Sequence, residues 1–159
     1  MLGPVTVALA IPLYQNLKRI RALLAPIVLT LVLGSFFTVG ICMGIAWMLG
    51  ASDTTLFSMT TKSITTPIAM AVAEKIGATA ALAAPFVMFT GVLGAVLGPP
   101  IFDKLNIKDD SVKGISLGLT SHAVGTAKAL EISAECGAFA ALSMGLTGIL
   151  TALILPFLV

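Results

Sequence analysis

The stretch Lys62-Ser-Ile-Thr-Thr-Pro-Ile-Ala-Met-Ala-Val-Ala-Glu-Lys75 carries three hydroxyls, a proline and three charges, yet it lies between two long uncharged runs. Pro67 removes a backbone donor and biases Thr66 toward extended backbone, so a smooth helix cannot continue here. At membrane depth such a break is tolerated only where protein or a water-filled cavity surrounds it. We therefore take this stretch as the first candidate for a functional site.

The composition indicates an integral membrane protein. Apolar residues make up 58% of the 159 positions, charged residues make up 10%, and the mean hydropathy is +1.09. A soluble domain averages about 25% charged residues. The formal net charge of +2 is too small to indicate a nucleic-acid partner, so we expect a lipid bilayer as the environment and no nucleic acid.

Enzyme classes find little support in the sequence. It contains no GxSxG or HExxH motif, no glycine-rich phosphate loop and a single histidine. Ser121 and His122 are adjacent, so on a helix their side chains point about 100° apart and do not form a nucleophile–base pair. We expect no catalytic activity, no cofactor and no metal site.

Three uncharged runs are long enough to cross a bilayer, namely residues 22–52, 76–102 and 137–159. Crossing takes about 20 residues, so residues 1–17 predict a short or incomplete crossing. Gly98-Pro99-Pro100 predicts a firm stop to the second run. The Gly40-xxx-Gly44 pair in the first run could seat a neighbouring helix, and we expect a homo-oligomer.

Two weakly apolar segments, residues 54–77 and 113–134, separate these runs. Eleven uncharged residues lie between Lys62 and Glu74, which as one helix span only about 16 Å. The first segment must therefore be a broken helix or a re-entrant hairpin. The second carries a similar interruption at Thr120-Ser121-His122. The predicted fold is an all-α transmembrane bundle with two discontinuous helices, broken or re-entrant.

The two polar segments belong to an internal repeat. Ile64-Thr-Thr-Pro67 aligns with Leu119-Thr-Ser-His122 at an offset of 55, and the glycine-rich run 91–99 aligns with 148–156 at an offset of 57. We predict repeat units 63–102 and 118–158 within a single transmembrane domain, 1–159. Each unit is a polar interrupted segment followed by a full helix.

Charge placement favours inverted repeats. Two basic loops are predicted, one with Lys18, Arg19 and Arg21 and one with Lys104, Lys108 and Lys113. The positive-inside rule prefers both on the cytoplasmic side, which requires an even number of crossings between them. A re-entrant segment 54–77 satisfies this and inverts the repeats, as in many secondary transporters. A broken helix that crosses gives three crossings and parallel repeats.

These interruptions carry the candidate binding residues. A helix that begins inside the membrane offers unpaired N–H groups and a positive dipole end, which suit an anion. The candidate substrate-binding residues are Thr65, Thr66, Thr120, Ser121, His122, Lys62 and Lys128. Structural alternatives stay open: hydroxyls can bond the i−4 carbonyl, His122 can join helices, and Lys128 can pair with Glu131. The combination suits a small organic anion, with or without a coupled proton.

The chain resembles the LrgB/CidB family of bacterial membrane proteins. The resemblance rests on Lys62-Ser-Ile-Thr-Thr-Pro-Ile-Ala-Met70 and on Gly118-Leu-Thr-Ser-His-Ala-Val-Gly-Thr-Ala-Lys-Ala-Leu-Glu131. Leu2-Gly-Pro-Val-Thr-Val-Ala-Leu-Ala10 and Gly137-Ala-Phe139 support it. It covers essentially the whole chain and extends to the C-terminal part of the plastidic glycolate/glycerate translocator. Typical members look longer at the N-terminus, so the resemblance implies an N-terminally truncated chain.

The resemblance implies a multi-pass protein of the bacterial cytoplasmic (inner) membrane that works beside a small LrgA/CidA-type membrane protein. It also implies two competing functions. One is transport of small monocarboxylates such as pyruvate, glycolate or lactate. The other is a holin/antiholin-like role that modulates murein hydrolase export and autolysis by oligomerisation or pore control, in which changes at Gly40 or Gly94 would alter the lysis phenotype. A purely structural scaffold for the partner is a third reading.

Overall fold

The computed structural model describes residues 10–158, and every regular element in that range is an α-helix. The helices are α1 Leu17–Ala22, α2 Leu24–Met48, α3 Asp53–Met59, α4 Thr66–Lys75, α5 Ala80–Lys104, α6 Asp110–Ile132 and α7 Ala134–Leu158. Residues 10–15 are also helical. Most of the predicted crossing 1–17 and of the motif Leu2–Ala10 lies outside the described residues, as does position 159.

Three of these helices, α2, α5 and α7, are long and apolar enough to cross a membrane. Each has 25 residues, and an 18-residue window within each has a mean hydropathy of 2.2, 2.1 and 2.0, respectively. A 25-residue helix is about 37 Å long, which exceeds the hydrocarbon thickness of about 30 Å. The prediction of an all-helical membrane protein is confirmed, and each long helix matches one of the predicted uncharged runs.

The predicted stop at Gly98-Pro99-Pro100 is wrong, because α5 continues through it to Lys104. A proline removes its own N–H but does not prevent later residues from donating, and the N–H of Leu105 bonds the carbonyl of Ile101 at 2.9 Å. The last turn also carries Phe102, which is buried against Leu117 in a core cluster. Packing therefore holds the helix together past the prolines.

The predicted basic loop is wrong as well. Lys18, Arg19 and Arg21 lie in the short helix α1, which starts after Asn16 and buries Ile20 in the core against Ile27 and Leu31. The second polar connection is shorter than predicted, since only residues 105–109 separate α5 from α6.

The first polar segment consists of the two short helices α3 and α4, which lie in the chain between the long helices α2 and α5. Helix α3 ends at Met59, residues 60–63 form a turn, and α4 begins at Thr66. The hydroxyl oxygen of Ser58 accepts a hydrogen bond of 3.1 Å from the backbone N–H of Thr79, at the start of α5. The two ends of the excursion 58–79 therefore meet.

The second polar segment, α6, reverses direction at His122. That residue has φ 41° and ψ −131°, values outside any helix. The hydroxyl of Ser133, just after α6, donates to the carboxylate of Asp110 at its start, and the two oxygens are 2.7 Å apart. A straight helix of 23 residues would hold its ends about 34 Å apart. Helix α6 is therefore a helical hairpin with arms 110–121 and 123–132.

Ion pairs place the N-terminal basic segment and the base of this hairpin at one end of the bundle. Arg19 lies 3.0 Å from the carboxylate of Asp109, and its other nitrogen contacts Glu135 at the start of α7. Helix α5 thus runs toward this end of the molecule, while α7 begins there and runs away from it. The two long helices that follow the polar segments are therefore antiparallel.

The core is built where the hairpin meets α7. Leu117 from the first arm and Ala129 from the second share a cluster with Cys136 and Ala140 of α7. Close approach depends on Gly118, where an added Cβ would lie 2.2 Å from the carbonyl oxygen of Ala140. The hairpin is thereby fixed against a membrane-spanning helix.

Candidate functional site

The first interruption begins α4 with a polar N-terminus. Thr65 is the N-cap, with an extended backbone (φ −65°, ψ 143°), and its carbonyl accepts the N–H of Ala69 at 2.9 Å. Its hydroxyl makes no capping hydrogen bond. Pro67 follows in the first turn, where its missing N–H removes no helical hydrogen bond. Thr65 and Thr66 are both half-buried. The hydroxyl of Thr65 is therefore not used to close the helix end.

Lys62 lies in the turn just before this helix end. It is half-buried, and its amine lies 3.2 Å from the hydroxyl of Ser63. Throughout residues 10–158 no carboxylate forms an ion pair with it. The neighbouring Thr61 and Ile64 are buried. A partly desolvated ammonium group without a counter-ion attracts anions strongly.

Lys128 has a different environment. Its amine pairs with the carboxylate of Glu131 at 2.7 Å, and both side chains are substantially exposed. The i, i+3 pairing that the sequence left open is thus present. Lys128 lies in the second arm of the hairpin, six residues from the tip at His122, and its charge is already balanced. Of the two predicted lysines, only Lys62 has a charge that no described carboxylate balances.

The second interruption presents Thr120, Ser121 and His122 at the tip of the hairpin. The hydroxyl of Thr120 donates to the carbonyl of Ser116 at 2.7 Å and lies 3.1 Å from the hydroxyl of Ser121. Ser121 and His122 are buried. Thr120 therefore uses its proton within the helix, whereas its oxygen stays close to Ser121.

Helix α5 receives the hairpin tip on two glycines. A Cβ added at Gly91 would lie 2.6 Å from the His122 ring, and one added at Gly94 would lie 1.7 Å from the hydroxyl of Ser121. At positions 91 and 94, no residue other than glycine leaves room for the side chains of His122 and Ser121. Gly94 therefore packs against the hairpin within the chain, and the predicted effect of Gly94 changes on a lysis phenotype stays a prediction.

Val87 of α5 contacts both interruptions. Its carbonyl oxygen lies 2.8 Å from Nε2 of His122, and its side chain is clustered with Ile64 and Ala69 on either side of the first break. Within the described chain no hydrogen bond joins Thr65 or Thr66 directly to the hairpin tip. The structure thus brings the two interruptions to the same residue of α5.

Helix α7 contacts the first turn of α4, just past the first interruption. A Cβ added at Gly148 would lie 3.2 Å from the side chain of Ile68, two residues past Thr66. In the repeat alignment Gly148 corresponds to Gly91 at an offset of 57. Each long helix therefore meets the polar segment of the other unit at the aligned glycine.

Sequence reasoning missed the role of Val87, Gly91 and Gly148 as the places where the interruptions dock. A signal was present, since both glycines open the aligned runs 91–99 and 148–156. Val87 contributes through its backbone carbonyl, and no sequence pattern marks such a contact.

A separate apolar cavity of about 340 Å³ lies between α2, α3 and α7. Its lining consists of Val32, Ser35, Phe36, Val39, Met43, Phe57, Thr60, Leu150, Thr151, Ile154, Leu155 and Leu158. The predicted site residues are not among them. Because the walls are almost entirely apolar, this cavity suits hydrocarbon rather than a small anion.

Comparison with known proteins identifies the family. The LrgB-like family matches residues 1–159. The uncharacterized protein YwbG of Bacillus subtilis is 38% identical over 158 residues, which cover 99% of this chain and 70% of YwbG. The holin-like protein CidB of Staphylococcus epidermidis is 32% identical over 159 residues, covering 100% of this chain and 69% of CidB. No solved structure matches the chain. The chain therefore belongs to the LrgB-like family of membrane proteins.

Proposed function

We propose that this protein is a membrane transport component for small monocarboxylates of the pyruvate, glycolate or lactate type. The proposal rests on the contacts of the two long helices. Helix α5 meets the polar segment of the other repeat unit at Gly91, and α7 does so at the aligned glycine, Gly148. In this crossed arrangement both interrupted polar segments contact the same two long helices, and interrupted helices within inverted repeats are typical of secondary transporters.

The proposed topology has two re-entrant segments within one domain, 1–159, and inverted units 63–102 and 118–158. The pairing of Arg19 with Asp109 supports it, because both lie at one end of the bundle. The chain between Arg19 and Asp109 then crosses the membrane an even number of times, and α2 and α5 supply two crossings. In the bacterial cytoplasmic membrane, this end would face the cytoplasm by the positive-inside rule.

The proposed seat combines the two interruptions. The N-termini of α4 and of the second hairpin arm supply N–H groups and positive dipole ends. Thr65, Thr66, Thr120, Ser121 and His122 supply hydroxyl and imidazole groups. Lys62 supplies the positive charge that draws in the carboxylate, because no carboxylate of the described residues balances it. Lys128 lies six residues from the hairpin tip at His122 and is paired with Glu131. In this proposal its ammonium group binds the passing anion only when that ion pair opens.

Counterflow in proteoliposomes tests the proposal. The purified chain and an LrgA/CidA-type partner are reconstituted with unlabelled pyruvate, glycolate or lactate inside, and labelled substrate is added outside. We expect transient accumulation of label with at least one of the three substrates, and weaker accumulation in Lys62→Met at the same substrate concentration. Failure of all three to give counterflow, in a preparation with a cooperative melting transition, would contradict the proposal.

A holin-like role is the second candidate, and an open helix face favours it. Added Cβ atoms at Gly40 and Gly44 of α2 would meet nothing within 4 Å, so this face is free to seat a helix of the partner or of a second copy. The proposed homo-oligomer would use the same face. Lysis assays separate the two functions, because Gly40→Leu should alter a holin-like phenotype that Thr66→Val leaves intact. The opposite pattern favours transport.

A further inference from the structure

Thr147 of α7 is a buried residue whose hydroxyl has no partner. Its side chain is 1% exposed, and its oxygen makes no hydrogen bond with any residue in the described range. Membrane-helix hydroxyls ordinarily donate to the i−4 carbonyl. Thr120 and Thr126 of the hairpin do so, whereas Thr147 does not. A buried polar group without a partner requires an explanation.

The neighbours of Thr147 place it where both polar segments reach α7. One turn earlier, Ser143 donates to the carbonyl of Ile115 in the hairpin at 2.9 Å. The sulfur of Met144 contacts the hydroxyl of Thr126, which itself donates to the carbonyl of His122. On the other side, Gly148 meets the side chain of Ile68 in α4. Thr147 thus lies between the contacts of α7 with the two interruptions.

The repeat supplies a counterpart on α5. At the offset of 57, Thr147-Gly148 aligns with Thr90-Gly91. Gly91 meets His122 as Gly148 meets Ile68. In both units a threonine therefore immediately precedes the glycine that receives the other unit's polar segment.

We infer that Thr147 is a substrate-contacting residue whose hydroxyl donates a hydrogen bond to the carboxylate of the bound monocarboxylate. The inference rests on the proposed function and adds α7 to a seat otherwise formed by the turn before α4 and the hairpin tip. A hydroxyl that keeps its donor free of the helix backbone is available to an oxyanion. Inside the protein such a bond is stronger than in water.

Substitutions that remove the Thr147 hydroxyl test this role, and valine does so while keeping the size of the side chain. Thr147→Val is expected to raise KM in the counterflow assay by about tenfold or more, the usual weight of a hydrogen bond to a charged group. Without substrate its melting temperature should equal or exceed that of the wild type, since an unpaired buried hydroxyl is replaced by an apolar group. Thr147→Ser, which keeps the hydroxyl, should retain a KM near that of the wild type, whereas Thr147→Ala should not.

Ser143→Ala is the matched control, because Ser143 is buried on the same helix but its hydroxyl is satisfied. It should lower the melting temperature and leave KM unchanged. If the wild type transports and Thr147→Val keeps the wild-type KM, the inference is overturned while the proposed function stands. Absence of transport by the wild type overturns both.

Discussion

The imidazole of His122 donates a hydrogen bond from Nε2 to the backbone carbonyl of Val87, and the two atoms are 2.8 Å apart. A carbonyl oxygen only accepts, so Nε2 carries the proton and Nδ1 is the remaining ring nitrogen that a ligand can hydrogen-bond. The Val87 side chain also packs beside the first interruption, so this one residue of α5 contacts both parts of the proposed seat.

His122 reverses the chain with a strained backbone. Its φ of 41° is unfavourable for a residue with a Cβ and is tolerated by glycine. We therefore expect His122→Gly to be more stable than His122→Ala by about 1 kcal/mol, since both lack the imidazole and only glycine relieves the strain. Thermal melting of the two variants in detergent measures this difference. Equal melting temperatures would argue against a strained reversal at this residue.

Gly94 is expected to be intolerant of a side chain. A Cβ there would lie 1.7 Å from the hydroxyl of Ser121 and 2.9 Å from its Cβ, so Gly94→Ala should destabilise the protein by about 2 kcal/mol through overpacking. Adding Ser121→Ala should restore part of that loss. Gly40→Ala is the control, because it meets nothing within 4 Å and should not destabilise. Similar melting temperatures for both alanine variants would contradict the packing of the hairpin tip on α5.

Asp109 caps α6 and links it to Arg19. Its carboxylate accepts the N–H of Ser111 at 2.8 Å, and the hydroxyl of Ser111, the N–H groups and Arg19 together lower the pKa of Asp109 below its usual value. Asp109→Ala should lower stability by about 1 kcal/mol. Asp109→Asn keeps the cap and loses only the exposed ion pair, so its loss should be a few tenths of a kcal/mol, roughly.

The same carboxylate gives a pH dependence with a defined sign. Since the folded pKa of Asp109 is lower than the unfolded pKa, its contribution is fully present above the unfolded value of about 4 and is lost as the pH falls through the folded pKa. The difference in melting temperature between wild type and Asp109→Asn should therefore shrink on acidification. A difference that grows toward low pH would contradict this assignment.

The two lysines are expected to differ in transport. Lys62 has no carboxylate partner among residues 10–158, whereas Lys128 is paired with Glu131. Lys62→Met should raise KM for the monocarboxylate by at least about tenfold, since an unbalanced charge interacts more strongly with an anion. Lys128→Met should change KM by less than about threefold. Initial rates of counterflow measure both, and a larger effect at Lys128 would reverse the assigned roles.

Much of the fold could be predicted from charge and hydropathy alone. Uncharged runs gave the three long helices, and Thr-Thr-Pro at 65–67 marked the start of α4, because proline has a fixed effect on backbone geometry. Helix ends were harder to predict. The prolines at 99 and 100 did not end α5, since burial of Phe102 at the far side compensates for the lost donor. Such compensation depends on partners distant in sequence.

The interruption of α6 was predictable in position but not in its contacts. Thr120, Ser121 and His122 stood out as polar residues in an apolar context, and the reversal does fall at His122. The contact of His122 with Val87 depends on tertiary structure that no local pattern encodes. The same holds for the different charge environments of Lys62 and Lys128. The inverted orientation of the two units stays a prediction, supported by the pairing of Arg19 with Asp109.

Substrate protection of single cysteines tests the central claim most directly, namely that one monocarboxylate seat lies between the two interruptions. Thr66→Cys and Thr120→Cys, both at half-buried positions, are each introduced into a chain in which Cys42 and Cys136 are replaced by alanine, and their reaction rates with a small thiol reagent are measured in proteoliposomes. Gly40→Cys on the open face of α2 is the control. The account predicts that the transported monocarboxylate slows the reaction at both interruptions, at concentrations near its KM, and leaves the control unchanged. Reaction rates at both interruptions that are unaffected by a substrate the protein demonstrably transports would contradict it.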